Sequence, residues 1–162
     1  MLTNTEEAKL IQLLGQLDQP WSYLVFRAIS QRAVLTSVEL VILREVLGRV
    51  QILLCQRPVD DPDWPGMWHL PGSVIRETDV SYYETFKRVI CEELAGIKLS
   101  TFGFIDCDLV QTKRGLVNEH VYLCSYHGPD LICGKFFEIN HLPANFIKHQ
   151  MRLIEIAGVR HS

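Results

Sequence analysis

Glu92 and Glu93 stand side by side near the end of a stretch whose apolar residues recur at helical spacing. Phe86, Val89, Ile90 and Glu93 lie three or four residues apart and so share one stripe of that helix. Arg88 and Glu92 are four apart, which lets them meet on the neighbouring stripe. Ahead of the helix, Trp68-His69-Leu70-Pro71-Gly72-Ser73 reads as a tight Pro-Gly loop. A loop packed against a helix that carries paired Glu makes a cradle for Mg²⁺ and phosphate oxygens. Mg²⁺ wants hard oxygen ligands and takes only one or two carboxylates, completing its octahedron with water and substrate phosphate.

Between Gly72 and Ile97 the chain resembles the signature box of the Nudix hydrolases, Gly-x5-Glu-x7-Arg-Glu-U-x-Glu-Glu-x-Gly-U with U aliphatic. Family members lead into the box with Trp-x-Leu-Pro-Gly-Gly, and Trp68 to Ser73 fills that place with Ser73 for the second Gly. Asp79 stands where the box has its first Glu, Arg88 matches the Arg, Ile90 the aliphatic position, and Glu92 and Glu93 the paired Glu. The segment between Asp79 and Arg88 is one residue too long, and Leu94-Ala95-Gly96 adds one residue before the Gly. The Glu that follows the Arg in the family is Val89 here. In the ungapped register Arg88 takes that position and Cys91 replaces the first of the paired Glu, so one helical carboxylate is missing either way.

The resemblance implies an α/β fold, the Nudix α/β/α sandwich with a mixed sheet, and hydrolysis of a nucleoside diphosphate linked to another moiety. Carried over residue by residue, it implies Glu92, Glu93 and Arg88 as catalytic residues, with Arg88 orienting Glu92 by an ion pair. Mg²⁺ (or Mn²⁺) would sit on Glu92, Glu93 and the carbonyl of Gly72. Substrate contacts would come from Arg57, Trp68, Leu70, Gly72 and Glu119. Beside these stand plainer readings: Arg88 and Glu92 as a surface ion pair, Asp79 as a helix cap, His69 as loop packing, and Glu119-His120 as an ordinary surface pair. Lys113 and Arg114 either greet phosphates or form a solvated turn. With one carboxylate absent, the readings are a slow metal-dependent hydrolase, a Nudix-fold nucleotide-binding or regulatory protein without chemistry, and, with least support, an assembly module.

The elements that must position these residues follow from the periodicity. Residues 1–35 read as an N-terminal helical pair. Thr3 to Glu7 offers a capping box ahead of Leu10, Leu13, Leu14 and Leu17, and Trp21, Leu24, Val25, Ala28 and Ile29 keep helical spacing beyond Pro20. The pair either covers a sheet face, the simpler reading, or makes a dimer contact. Residues 36–162 read as the Nudix-like domain. Val38–Leu43 and Val50–Cys55 form a hairpin turning near Leu47-Gly48, and a loop rich in Pro and Asp follows over 58–66. That loop either contacts substrate or is a rigid acidic turn. The box helix spans about 80–94 with Thr78 or Asp79 as N-cap, strands follow at 99–111, 117–126 and 134–139, and the last helix covers 145–157.

The 162 residues suffice for one domain with a substantial core. Apolar content of 48% against 22% charged residues is that of a globular chain. A net charge of −3 argues against binding a nucleic-acid polymer by phosphate neutralisation. No apolar run is long enough to cross a bilayer and no signal peptide precedes the first helix, so a cytoplasmic protein with a nucleotide-type small molecule as partner is expected, with a homodimer open. Five cysteines without Cys-x-x-Cys spacing predict reduced, buried thiols.

Overall fold

A computed structural model describes residues 2–129 and 131–161. Its centre is strand β1, Leu35–Val46, in which every residue from Ser37 to Leu43 is buried. A strand buried on both faces must be apolar on both, and Val38-Glu39-Leu40-Val41-Ile42-Leu43 is, save for one acid. Gly48 at the turn has φ +73°, a conformation that suits glycine, and the chain returns antiparallel as β2, Arg49–Gln56. β1 changes partner along its length. Its second half pairs with β2 from Leu43 onward, whereas Ser37–Glu39 pair with the short strand β4, Gly72–Val74. On its other side β1 runs parallel to β6, Leu116–Ser125. β6 pairs with the edge strand β5, Thr101–Gln111, while β2 also pairs with β3, Trp68–His69, and β7, Lys135–Glu138. The result is a seven-stranded mixed sheet.

Alternation along β1 divides the core. Val38, Leu40 and Ile42 pack with Phe86, Val89 and Leu94 of the box-helix region, and Val41 and Leu43 pack with Leu153, Ile154 and Ala157 on the other side. The box helix, α3, is Tyr82–Glu93, and the C-terminal helix, α4, is Met151–His161, entered through a short 3₁₀ turn at Lys148–Gln150. Two helical layers around a sheet give the expected α/β/α sandwich. α3 starts later than expected: Ser81 is the N-cap, its hydroxyl accepting from the Glu84 amide, and neither Thr78 nor Asp79 serves. The last helix also begins six residues late, because the Asn145 carbonyl and the Ile147 amide are held by backbone bonds to Trp68 of β3 instead.

The N-terminal pair is present as α1, Asn4–Leu14, and α2, Tyr23–Ser30. α1 has its capping box at Thr3 and Glu6 but buries no residue, so it covers no sheet face. α2 is docked: Ser30 Oγ donates to the Arg114 carbonyl at 2.7 Å, and a Cβ on Gly115 would collide with the Ser30 carbonyl. Cys55 and Cys124 are buried as expected, whereas Cys91 on α3 and Cys107 on the edge strand are exposed; all five are free thiols. Among the described residues no helix is long and apolar enough to cross a membrane.

Candidate functional site

Sheet parity gathers the acids that matter. In the parallel register Ser37 faces Glu119, and in the antiparallel one Glu39 faces Gly72, so these side chains emerge on the face covered by the 3₁₀ turn and α4. All of them line one cavity of about 420 Å³, within the size range of small-molecule sites. Glu93 enters from the end of α3, and its Oε2 accepts from the Gly72 amide at 3.2 Å. Gly72 is the hinge of the arrangement, since a Cβ there would collide with Glu39 Oε2 and the Val38 carbonyl. Gln150 fixes Glu39 from α4's side, its Nε2 donating to Glu39 Oε2 at 3.2 Å while its Oε1 accepts from the Leu70 amide at 2.9 Å.

Three carboxylates thus meet in a low-dielectric pocket, and each is held toward its neutral form. Burial is the main cause for Glu93, pushed up to about 7 against the downward pull of the Gly72 amide and Arg57. Burial likewise lifts Glu119 to about 7. Glu39 is raised well above the ordinary carboxylate range by burial and by the neighbouring charge of Glu119. Glu119 has one oxygen 3.8 Å from His149 Nε2 and the other, Oε2, buried without a partner. It is 3% exposed, so the surface-pair reading of Glu119 fails. Its sequence neighbour His120 points to the opposite face and stacks on Tyr82 of α3.

The other box residues are differently employed. Arg88 binds Asp79 through Nε and Nη2 at 3.1 and 2.6 Å, and also reaches Ser73 Oγ and the Val74 carbonyl. Asp79 accepts in addition from the Arg76 amide and Thr85 Oγ1, and the Arg88 bonds above all hold its carboxyl at about 2. Glu92 is gripped in fork-to-fork fashion by Arg76 at 3.0 and 3.1 Å, stands 3.6 Å from Arg88 and does not line the cavity. Val89 is 1% exposed within the apolar core. Trp68 packs edge-on against Phe137, and Leu70 is wholly buried beneath the sheet. Neither lines the cavity, so of the expected contacts Arg57, Gly72, Glu93 and Glu119 come together there, and Glu92, Arg88, Trp68 and Leu70 do not. His69 does line it, neutral, its pKa lowered to about 4 chiefly by burial, with Nδ1–H donating to the Leu70 carbonyl.

The acidic loop over 58–66 and the basic turn at 113–114 answer each other. Asp63 binds Arg27 and Arg114, and Lys113 Nζ donates to its carbonyl. Arg114 lies over the rings of Trp64 and Phe26. Arg114 lines the cavity but is engaged by Asp61 and Asp63, and Lys113 is tied to a backbone carbonyl. Arg57 is less committed: its nearest carboxylate, Asp61, is 3.8 Å away and its Nε is buried without a partner. Among the described residues no three His, Cys, Asp or Glu side chains are gathered as a ready-made metal cage. Glu39, Ser37, Trp21 and Gln150 were not singled out by sequence reasoning. Only Glu39 carried a signal, as the one acid in the otherwise apolar run Val38–Leu43.

Solved structures share the fold of this chain. The NUDIX domain of Shewanella oneidensis NrtR, complexed with ADP ribose, superposes with a TM-score of 0.66 at 22% identity, covering 99% of this chain and 100% of that one. This chain has the Nudix fold. The C. elegans Ap4A hydrolase gives a TM-score of 0.63 at 18% identity, with 80% of this chain and 100% of that chain covered. Against another structure of S. oneidensis NrtR the TM-score is 0.64 at 24% identity over 78% of this chain, which spans 62% of that protein's length. NrtR has also been crystallised with a 27mer DNA. No family model and no curated protein matches the sequence. At this distance the likeness concerns the Nudix fold, and activity must be argued from the cavity.

Proposed function

We propose that the cavity binds a nucleoside diphosphate linked to another moiety, with a divalent cation, and that the chain slowly hydrolyses the diphosphate. ADP-ribose, the ligand of the NrtR domain, belongs to this chemical class. The observation that carries the reading is the convergence of Glu39, Glu93 and Glu119 on a cavity whose least committed arginine is Arg57. Once these acids ionise, an anionic diphosphate needs a cation between it and them. The donors fit Mg²⁺ or Mn²⁺: hard carboxylate oxygens, and a glycine that lets Glu39 and Glu93 approach from opposite sides. Glu93 and Glu39 would hold the ion, with water and phosphate supplying its other ligands.

When bound, the ion neutralises phosphate charge and lowers the pKa of an attacking water. The chain's own residues do the rest. Arg57 binds a phosphate oxygen through its unpaired Nε–H. The Gly72 amide and the Gln150 side chain keep Glu93 and Glu39 in place. Glu119, with an unpartnered oxygen and a pKa of about 7, accepts the proton of the water. Arg88 and Glu92 stabilise α3 and its entry loop.

A second reading, binding without turnover, is favoured by one observation, Val89 in the apolar core where the family carries a ligand. The two are separated by incubating ADP-ribose with the protein and Mn²⁺ or Mg²⁺ and following AMP release by chromatography. Release that Glu93→Gln abolishes supports hydrolysis. Micromolar, cation-dependent binding by calorimetry with no AMP release makes the chain a binding protein. Absence of both refutes the proposal.

A further inference from the structure

Buried polar side-chain atoms without a hydrogen-bond partner are costly and uncommon. Among the described residues they are Trp21 Nε1, Ser37 Oγ, Arg57 Nε, Asp106 Oδ2 and Glu119 Oε2, and all but Asp106 belong to residues lining the cavity. Unpaired groups on separate elements around one concavity would gain partners from a ligand seated there. Ser37, Arg57 and Glu119 sit on the strands or strand ends of the sandwich. Trp21 comes from outside it, in the segment before α2.

That segment is a strap. Gln19 Oε1 accepts from the Glu77 amide at 2.7 Å, on the loop after β4. Tyr23 OH donates to Asp63 Oδ1 at 3.2 Å, on the loop after β2. Five residues, Gln19 to Tyr23, therefore cross from one lip of the cavity to the other, with Trp21 midway, and Gln19, Pro20, Trp21, Tyr23 and Phe26 all line it. Behind the strap, α2 is pinned through Arg27 to Asp63 and through Ser30 to Arg114. A wall built this way is fixed before any ligand arrives.

We infer that Trp21 is the specificity-determining residue for the nucleoside end of the ligand, its indole N–H donating to an acceptor on the base or ribose and its ring supplying an apolar surface for the base. An indole N–H only donates, so its partner must be an acceptor. The acids and Arg57 account for the diphosphate and its cation, which leaves the aromatic strap for the flat, apolar-faced part of the molecule. This inference rests on reading the cavity as a nucleoside diphosphate site.

Calorimetric titration with ADP and with inorganic pyrophosphate, in Mg²⁺, tests it on wild type, Trp21→Phe and Trp21→Ala. Phe keeps an aromatic ring and removes the N–H, so ADP should weaken about five- to tenfold, the worth of one hydrogen bond. Ala should weaken ADP further, to about a hundredfold, through lost ring contact. Pyrophosphate should stay within about twofold in both. Should Ala fail to fold, as judged by circular dichroism, Phe carries the test. If wild type binds ADP and Trp21→Phe binds it equally well, or if pyrophosphate weakens in step with ADP, Trp21 does not read the nucleoside and the cavity reading survives. If wild type binds pyrophosphate but not ADP, this inference again falls. Wild type that binds neither overturns the cavity reading and this inference together.

Discussion

Two sets of charges flank the C-terminal half of α3, and they differ in what answers them. On one side Asp79, Arg88, Arg76 and Glu92 form a closed network in which each guanidinium meets a carboxylate. On the other, Glu39, Glu93 and Glu119 share a cavity, where Glu93 accepts from the Gly72 amide, Glu39 from the Gln150 side chain, and Glu119 lies 3.8 Å from His149. Adjacent residues of one helix, Glu92 and Glu93, fall on opposite sides of this divide. The difference teaches that a box motif combines two jobs. The paired charges fix the loop onto the helix, and the others line the cavity where we propose that a cation and a diphosphate bind. Here the paired half is complete, and the acids of the cavity come from the strands as well as the helix.

Restoring the family's carboxylate is the hardest way to test that division. Val89→Glu would place an acid among Phe86, Leu94 and Leu40. A fully buried carboxyl in apolar surroundings costs several kcal/mol, so we expect a loss of about 4 kcal/mol at pH 8 in urea unfolding, and no gain of hydrolysis. A stable, faster variant would mean that the core at Val89 opens readily toward the cavity.

Glu93→Gln comes next. Removing an ion-holding group should cut AMP release from ADP-ribose at least about a hundredfold. Its effect on stability has the opposite sign. Glu93 and Glu119 have folded pKa values of about 7 against an ordinary 4.5, so between those values the folded chain binds more protons than the unfolded chain. Their contribution is therefore full below about pH 4.5 and is lost as pH rises toward 7. Without cations, thermal stability should fall over that window. Glu93→Gln should flatten its share and gain about 1–2 kcal/mol at pH 8, a figure reduced for partial solvent screening. Mn²⁺ should raise the wild-type melting temperature at pH 8 and not that of the variant. A cation response that Glu93→Gln leaves intact would move the ion elsewhere.

Asp79→Ala addresses the paired side. Arg88 would lose its main partner while its guanidinium stays largely buried, which should cost about 3 kcal/mol. Because Asp79 is held at about 2, below the ordinary 3.8, its contribution is present above pH 3.8 and is lost as pH falls toward 2. Acid unfolding should accordingly shift to higher pH in the variant, and an unchanged acid midpoint would show the network to be ornamental.

How much of this could be read from the chain alone depends on the range of the interactions. Strand alternation and helical spacing are local, so the hairpin at Gly48 and the box helix were legible, and the resemblance of residues 72–97 to the Nudix box made the sandwich and the missing carboxylate at Val89 legible too. The site was legible only in part. Spacing along α3 pairs Glu92 with Arg88, but the loop residue Arg76, sixteen positions upstream, competes for Glu92 and takes it. Glu39 and Glu119 lie eighty residues apart and meet only through the parallel β1–β6 register. Trp21 keeps helical spacing with Leu24 and Val25, but Ser22 caps α2 after it and leaves the indole outside the helix, free to turn toward the cavity.

Glu92→Gln should have the smallest effect, and for that reason it sharpens the comparison most. The carboxylate is 48% exposed, so screening by water limits what its pair with Arg76 contributes. Its fork geometry and the nearby Arg88 place it near the upper end of that range, about 1 kcal/mol. The substitution keeps one acceptor oxygen for Arg76 and takes away only charge, so the unfolding midpoint should move slightly. Hydrolysis should stay within about threefold of wild type, because Glu92 does not line the cavity. Measured beside Glu93→Gln under the same cation, the pair of neighbours isolates direction from chemistry: same residue type, same helix end, different surroundings. Equal losses in the two variants would mean that Arg76 releases Glu92 when a cation binds, and the paired side would then belong to the chemistry after all.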